Sequence, residues 1–267
     1  MKYFTKDNLD SFKSLVRACG DFMLKATVEE NNTENVKQKA GDADFVTIYD
    51  EGVQHLLVDG ILKIFPDAKF FAEEKENSEE DTKSGRCFVI DPIDGTTNFI
   101  HSLGASTISI AMLYDGEPVF GCVYDPYRDD LFIAEKGSGA YKNDELIHVS
   151  DRDIDTSVIS FGTTPYRKKQ YAADSFRIAE NIFRECADIR RSGSAALDMA
   201  YVACGKLDGF FECILCPWDY AAGSVLITEA GGYVSDFDGN PVSFSVPTPL
   251  LCSNNIINNK LSALINK

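Results

Sequence analysis

The chain has 267 residues, of which 44% are hydrophobic and 25% are charged, a composition typical of an ordinary globular protein and unlike that of a disordered or fibrous one. Its formal net charge of −16 argues against nucleic acid or an anionic membrane as the main partner. We expect a cytoplasmic protein for three reasons. The N-terminus is polar, and no apolar run approaches the ~20 residues that span a membrane. The eight cysteines show neither a disulfide nor a zinc pattern.

Two helices are predicted in the first quarter of the chain. Apolar side chains recur at three-and-four spacing across residues 9–28, which indicates an amphipathic helix that packs on the core. A polar loop follows over residues 29–43. A second helix is predicted from about residue 47 to residue 65, where Pro66 ends it, and Asp50 lies near its start.

The middle of the chain changes to short β-rich runs at residues 87–91, 107–113, 118–124 and 131–135, which predict a mostly antiparallel sheet. Asp115 and Gly116, between two of these runs, are typical of a tight hairpin turn. From residue 157 strands and helices alternate instead. We predict strands at 157–161 and 207–211, helices at 172–186, 194–204 and 219–230, short strands near residues 233 and 250, and a small closing helix.

The two patterns together predict an α+β or α/β protein of two lobes with a ligand cleft between them. Residues 1–150 form an N-terminal α+β lobe with the antiparallel sheet and most of the candidate metal ligands. Residues 151–267 form a C-terminal α/β lobe with substrate-side residues. Because no Pro-rich or Gly-rich linker separates the lobes, we expect a rigid body with an extensive interface.

The segment 91–96, Asp-Pro-Ile-Asp-Gly-Thr, has the pattern of a metal-binding turn after a strand. A turn at Pro92 allows Asp91 and Asp94 to face one point, and the carbonyl of Ile93 is a further oxygen donor for a hard cation. Gly95 permits an unusual backbone angle. This spacing alone is equally typical of a structural Asx turn.

Further acids follow or open other predicted elements. Glu73 and Glu74 come after a short apolar run that indicates a strand, and Asp219 opens a helix. A capping role explains Asp219 without a metal, because an acid complements the helix dipole there. A strongly acidic protein that binds phosphate needs positive charge from elsewhere, and a divalent metal held by carboxylates supplies it.

These motifs together resemble the inositol monophosphatase family, particularly its bacterial type. The resemblance covers nearly the whole chain. It rests on Lys39 and on the segments DFVTIYD (44–50), EE (73–74), DPIDGTTNF (91–99), RRSGSAALD (190–198) and WDYAAG (218–223). It implies a layered αβαβα sugar-phosphatase fold with a metal cleft between two lobes, and a homodimer. One departure is Ala72, where the family usually has glycine before the two glutamates.

Carried over residue by residue, the resemblance implies a magnesium cofactor with two or three ions per active site. The first ion would be bound by Glu73, Asp91 and the carbonyl of Ile93. The second would be bound by Asp91, Asp94 and Asp219. A weaker third ion, where it occurs, would be bound mainly by Glu73.

The resemblance also implies catalytic and substrate-binding roles. Asp50, Glu73 and Thr96 would be catalytic, with Asp50 and Thr96 polarising the attacking water. Glu212 matches the acid that accepts from ring hydroxyls, and its alternative is a structural salt bridge to Arg190 or Arg191. The residues implied to contact substrate come from the metal-binding segment, from the start of a helix and from two further acidic positions. They are Asp94, Gly95, Thr96, Gly193, Ser194, Ala195, Glu212 and Asp219.

We therefore expect direct attack by water on a phosphate monoester, most simply inositol-1-phosphate, without a covalent phosphoenzyme. Alternatives within the superfamily are fructose-1,6-bisphosphatase, histidinol-phosphatase and nucleotide 3′-phosphatase, although a two-phosphate substrate calls for more basic residues in the cleft. Residues 167–169 are interpreted as a solvated surface. A regulatory or scaffolding protein that keeps this fold is the alternative from another class. The expected partner is a small molecule, not nucleic acid or a membrane.

Overall fold

The computed structural model describes residues 3–29, 36–38 and 45–267, and the side chains within residues 3–25 and 48–267. Over these residues the chain is a mixed α+β protein with a seven-stranded, a five-stranded and a two-stranded sheet. Helices cover both faces of the two larger sheets, so the layers follow the order αβαβα. The predicted fold class is confirmed. Within the described ranges, none of the helices has the length and apolar composition that a membrane crossing requires.

The first layer contains the two predicted helices, α1 (Lys6–Glu29) and α2 (Ile48–Ile64). Along α2 the buried residues Val53, Leu57 and Ile61 recur every four positions and face the core. Strands β1 (Val36–Gln38) and β2 (Phe45–Thr47) pair antiparallel between the helices. The prediction of a polar loop over residues 29–43 is wrong at residues 36–38, which form β1. Lys39 and Asp44 lie outside the described residues.

The seven-stranded sheet has the order β3-β4-β5-β6-β7-β8-β9, and only its first pair is parallel. Its strands are β3 (Lys69–Ala72), β4 (Arg86–Asp94), β5 (Thr107–Tyr114), β6 (Glu117–Asp125), β7 (Asp130–Glu135), β8 (Ala140–Lys142) and β9 (Glu145–Ile147). The mostly antiparallel sheet is as predicted. The turn residues Asp115 and Gly116 both have positive φ, as a two-residue hairpin of type I′ requires. Two short helices, α3 (Glu79–Lys83) and α4 (Thr96–Ile100), flank β4 and were not predicted.

The five-stranded sheet has the order β11-β10-β12-β14-β13. Its strands are β10 (Val158–Phe161), β11 (Asp188–Arg190), β12 (Gly209–Leu215), β13 (Tyr233–Ser235) and β14 (Thr248–Ser253). The helices of this half are α5 (Lys168–Phe183), α6 (Ala195–Ala203), α7 (Pro217–Glu229) and α8 (Asn258–Ile265). One boundary matters for the site. The sequence predicted a strand that ends at residue 211, before Glu212. In the structure β12 continues to Leu215, so Glu212 lies inside the strand.

Helices α6 and α7 form the central layer between the two larger sheets. Helix α7 follows β12 along the chain, yet it packs against β4, β5 and β6 of the other sheet. At Gly121 a Cβ atom would lie 2.4 Å from the carbonyl oxygen of Ala222, so glycine permits this close contact. One buried cluster includes both Phe71 and Phe210, one from each half of the chain. The halves thus share a core, while the boundary near residue 150 stays a prediction.

Candidate active site

A cavity of about 530 Å³ opens between the end of β4, the first turns of α6 and α7, and the loop that follows β10. Both larger sheets therefore contribute to its wall. Every predicted site residue except Asp50 lies on this wall: Glu73, Asp91, Ile93, Asp94, Gly95, Thr96, Gly193, Ser194, Ala195, Glu212 and Asp219.

A bulge in β4 brings Asp91 and Asp94 to the same face of the sheet. Residues three apart on a regular strand point to opposite faces. Here Asp91 pairs with Ser109 and Asp94 pairs with Thr107, so three steps along β4 match two steps along β5. The extra residue of the bulge places Asp91 and Asp94 on the same face of the sheet, and both side chains reach the cavity. The bulge, and not a turn at Pro92, is the reason that the two acids converge.

Carboxylate oxygens of Asp91, Asp94 and Asp219 lie within 4.8 Å of one another. Two of these acids also make the local bonds that were the alternatives to metal binding. Asp91 Oδ1 accepts from the N–H of Ile93 at 3.0 Å, and Asp219 Oδ2 accepts from the N–H of Cys216 at 2.7 Å. Since each of these bonds uses one oxygen, the Asx turn and the helix cap are compatible with a cation at the other oxygen.

Asp94 is held by the first turn of α6, which comes from the other half of the chain. Its Oδ2 accepts from the Ser194 hydroxyl at 2.5 Å and from the N–H of Ala196 at 2.7 Å. Ser194 is the N-cap of α6, and its hydroxyl also accepts from the N–H of Leu197 at 3.2 Å. The partly positive end of the helix thus faces a buried carboxylate, which is a favourable arrangement.

The acidic cluster concentrates negative charge in a site where Asp91 and Asp94 are buried and Asp219 is partly buried. Burial, together with repulsion by neighbouring carboxylates, raises the pKa of Asp91 and of Asp219 well above the usual range. Burial raises the pKa of Asp94 to about 6, although the bonds from Ser194 and Ala196 oppose this shift. A set of three carboxylates offers only hard oxygen donors. The cluster therefore fits a hard divalent cation.

Side-chain amides hold the backbone on both sides of Glu73. The Gln54 amide donates to the carbonyl of Glu74 at 2.9 Å and accepts from its N–H at 3.0 Å. Asn77 makes the same pair of bonds with Ala72, at 2.8 and 2.9 Å. Neither amide was predicted, because nothing in the local sequence indicates which distant backbone it meets. Ala72 is accommodated at the end of β3, and Glu73 still reaches the cavity wall.

The start of α4 brings Thr96 close to Asp50. Gly95 has a φ of 87°, which favours glycine, and a Cβ there would lie 3.1 Å from the carbonyl oxygen of Gly193, a tight contact. Thr96 Oγ1 is 3.5 Å from Asp50 Oδ1 and 3.2 Å from the carbonyl oxygen of Ile93. Asp50 is buried behind Thr96 and does not line the cavity.

Glu212 is buried in β12 and lies on the part of the wall that the five-stranded sheet provides. Its Oε1 accepts from the backbone N–H of Thr164 at 2.7 Å and from the Thr164 hydroxyl at 3.1 Å. Arg190 pairs elsewhere, and Arg191 Nε donates to the Thr163 hydroxyl at 3.1 Å. The structural salt bridge from Glu212 to either arginine is thus not formed among the described residues. Burial raises the pKa of Glu212 to about 7.

Two basic side chains also reach the cavity wall, Arg167 and Arg191. The guanidinium carbon of Arg167 lies 5.9 Å from the ring centre of Tyr166. Arg167, Lys168 and Lys169 are all exposed, in agreement with the interpretation of 167–169 as a solvated surface, and Arg167 in addition lies on the cavity wall. The 3-10 turn Pro165–Arg167 is what bends this part of the chain over the cavity.

The sequence model of the inositol monophosphatase family matches residues 6–267, which include every element of the site. The chain belongs to the inositol monophosphatase family. Membership confirms the resemblance that the motifs indicated. An inositol monophosphatase fold with an acidic cluster that can hold a metal supports phosphatase activity. The roles of the individual residues stay predictions.

Several relatives illustrate the range of the inositol monophosphatase family. The chain is 44% identical over 227 residues to the protein called Nus factor SuhB from Escherichia coli K12, covering 84% of this chain and 82% of that protein. It is similar to an IMPase of Thermotoga maritima, with a TM-score of 0.85, 35% identity and 97% of each chain covered. It is also similar to SaIMPase-II with inositol monophosphate bound, with a TM-score of 0.79, 29% identity, and 96% of this chain and 92% of that chain covered. A second SaIMPase-II structure, with 2′AMP bound, has a TM-score of 0.79 and 29% identity over 98% of each chain.

One further residue of the family motif joins the two halves of the site. The Asn98 amide donates to the carbonyl of Ala105 at 2.7 Å and to that of Ser192 at 2.9 Å. Asn98 belongs to the segment 91–99 that carries the resemblance, so the sequence contained a signal for it. Its bond to Ser192 holds the loop before α6 next to the loop after β4. The sequence did not indicate which backbone carbonyls Asn98 would contact.

Proposed function

We propose that this member of the inositol monophosphatase family hydrolyses inositol-1-phosphate or a closely similar polyol phosphate, with two or three magnesium ions per active site. The observation that carries the proposal is that one cavity combines the acidic cluster with a separate buried carboxylate, Glu212. The acidic cluster can bind cations that neutralise the charge of a phosphate. Glu212 can accept hydrogen bonds from the hydroxyls of the polyol. The proposal includes the cytoplasmic homodimer implied by composition and resemblance.

The donor set of Asp91, Asp94 and Asp219 suits magnesium, because oxygen ligands suit magnesium better than they suit softer metals. Magnesium bound there would neutralise phosphate charge and lower the pKa of a bound water. Glu73 and the carbonyl of Ile93, both on the same wall, are the proposed additional ligands.

The chain's own groups would orient the water and the substrate. The Thr96 hydroxyl can donate a hydrogen bond to Asp50, which leaves its lone pairs to accept a hydrogen bond from a water in the cavity. A bond of 3.5 Å is long, but catalytic hydrogen bonds often tighten only when substrate is bound. Gly193, Ser194 and Ala195 lie at the start of α6, where the helix dipole favours an anionic phosphate.

The proposal is tested by phosphate release from a panel of phosphomonoesters, measured with magnesium, after chelation, and after magnesium is restored. We expect inositol-1-phosphate to give the highest kcat/KM, and we expect chelation to abolish release reversibly. A flat panel would show that the chain is not a phosphatase. Activity that survives chelation would show that the acidic cluster does not work through a cation.

Glu212→Gln is expected to lower kcat/KM for inositol-1-phosphate by about 10- to 100-fold, because a hydrogen bond to a charged acceptor contributes about 1.5 to 3 kcal/mol. Phenyl phosphate has no ring hydroxyls to bind, so its hydrolysis should change far less. The measurement is the pair of kcat/KM values for wild type and variant. Equal losses on both substrates, or a large fall in melting temperature, would show that Glu212 holds the protein together instead.

A nucleotide monophosphate is the second candidate substrate class. It is favoured by the 2′AMP bound to the related SaIMPase-II and by Arg167, Arg191 and the ring of Tyr166 on the cavity wall. The same panel separates the two, because the second candidate ranks a nucleotide phosphate above inositol-1-phosphate. The Escherichia coli relative is called a Nus factor and not a phosphatase, so a regulatory second role of this chain is tested separately, with a catalytically inactive variant.

A further inference from the structure

Thr164 has a backbone conformation that is rare for its residue type. Its φ of 44° and ψ of 63° lie in the left-handed region, which is unfavourable for a residue with a Cβ and most unfavourable for a β-branched one. The residue is fully buried and lies between β10 and the 3-10 turn Pro165–Arg167. Such a conformation persists only where its surroundings hold it.

The carbonyl of Thr164 accepts from the N–H of Arg167 at 2.9 Å within the 3-10 turn. The N–H and the hydroxyl of Thr164 bond to β12. Its N–H donates to Glu212 Oε1 at 2.7 Å, and its hydroxyl lies 3.1 Å from the same oxygen and 3.3 Å from the carbonyl oxygen of Ile214. A hydroxyl has one proton to donate, and an ionised carboxylate is the stronger acceptor. The arrangement therefore joins an unfavourable backbone conformation to one oxygen of Glu212.

The second oxygen of Glu212 faces Gly162. A Cβ at Gly162 would lie 1.8 Å from Oε2 and 2.1 Å from Cδ, so a larger residue cannot occupy this position without moving the carboxylate. Both bonds from Thr164 go to Oε1. Within the part of the chain whose side chains are described, no donor is hydrogen-bonded to Oε2. Because Glu212 and Gly162 both line the cavity, Oε2 is the oxygen left for a ligand.

We propose that Thr164 is a positioning residue for polyol recognition, which fixes Oε1 of Glu212 so that Oε2 is presented to hydroxyls of the substrate. This proposal rests on the proposed function. Thr164 itself does not line the cavity, so it acts through Glu212 and does not touch the substrate.

The charge state of Glu212 supports the same role. Burial raises the pKa of Glu212 to about 7, and the negative charge of Asp94 adds to this rise. The two hydrogen bonds from Thr164 and the positive charge of Arg191 lower the pKa and so oppose the rise. Loss of the Thr164 hydroxyl should therefore raise the pKa of Glu212 further. A larger protonated fraction at neutral pH would weaken acceptance from substrate hydroxyls.

The test compares Thr164→Val with Thr164→Ser. Valine keeps the shape and the β-branch but lacks the hydroxyl, whereas serine keeps the hydroxyl. We expect Thr164→Val to lower the ratio of kcat/KM for inositol-1-phosphate to kcat/KM for phenyl phosphate by about 5-fold, mostly through KM for inositol-1-phosphate. The acidic limb of the pH profile for inositol-1-phosphate should move to higher pH. Thr164→Ser should keep the wild-type ratio and profile.

Thr164→Gly covers the case in which the valine variant does not fold, because glycine removes the hydroxyl and also relieves the left-handed strain. A folded glycine or valine variant with the wild-type ratio and pH profile would overturn the proposal, as would equal losses on both substrates. Glu212→Gln is measured in parallel. A selective loss there, with wild-type behaviour of the Thr164 variants, overturns only the role of Thr164, whereas an unselective loss in Glu212→Gln overturns the polyol role of Glu212 as well.

Discussion

Asp94→Asn is expected to lower turnover by on the order of 10³-fold or more and to leave the fold intact. The substitution removes one charge from the cluster with Asp91 and Asp219, whose oxygens lie within 4.8 Å of one another. The fold should survive because Ser194 and Ala196 both donate to Oδ2, and the amide oxygen of asparagine can accept the same two bonds. The measurement is kcat at saturating magnesium and substrate.

In metal-free buffer the same variant is expected to melt at or above the temperature of the wild type. The pKa of Asp94 is raised from 3.8 to about 6 in the folded protein. A carboxyl group whose pKa is higher when folded contributes stability at low pH, and that stability is lost as pH rises through the folded value. The wild type should therefore lose stability between about pH 4 and pH 6 without metal, and Asp94→Asn should escape this part of the loss.

Asp151→Asn is the matched control, because Asp151 is exposed and does not line the cavity. It makes the same chemical change and should alter neither turnover nor the pH dependence of melting in chelator. Near-normal turnover of Asp94→Asn would remove Asp94 from the site. A clearly lower melting temperature in chelator would mean that the bonds to α6 outweigh the charge repulsion in the cluster.

Thr96→Ala is expected to lower kcat by about 10²-fold, a loss typical of a group that assists proton transfer, while magnesium affinity changes much less. The hydroxyl lies 3.5 Å from Asp50, so Asp50→Asn should cause a loss of similar kind. Because the two residues act on one water, the double variant should be no slower than the slower single variant. The measurement is kcat with a magnesium activation curve for the two single variants and the double variant.

Thr97→Ala is the control for the Thr96 experiment, since Thr97 is the next hydroxyl along the chain and is exposed on the same wall. It should have a much smaller effect on kcat. Additive losses in the double variant would show that Asp50 and Thr96 act independently. A large rise in the magnesium requirement of Thr96→Ala would instead place the hydroxyl in the cation site.

Local patterns in the sequence were sufficient for much of the fold. The three-and-four spacing predicted α1 and α2, and the tight turn at Asp115 and Gly116 predicted the hairpin between β5 and β6. Strands of three residues, such as β8, β9 and β11, were missed because so short a run has no clear periodicity. The end of β12 was placed too early, since a strand buried on both faces shows no alternation of apolar and polar residues.

The available acids and the resemblance to a metal-dependent phosphatase could be recognised in the sequence, because both depend on residue types within short segments. The orientation of the acids, in contrast, depends on contacts between distant parts of the chain. The bulge that turns Asp91 and Asp94 to one face is a matter of register between strands. The bond from Ser194 to Asp94 spans 100 residues, and that from Thr164 to Glu212 spans 48. Such contacts depend on how the layers pack, and no local pattern in the chain encodes that packing.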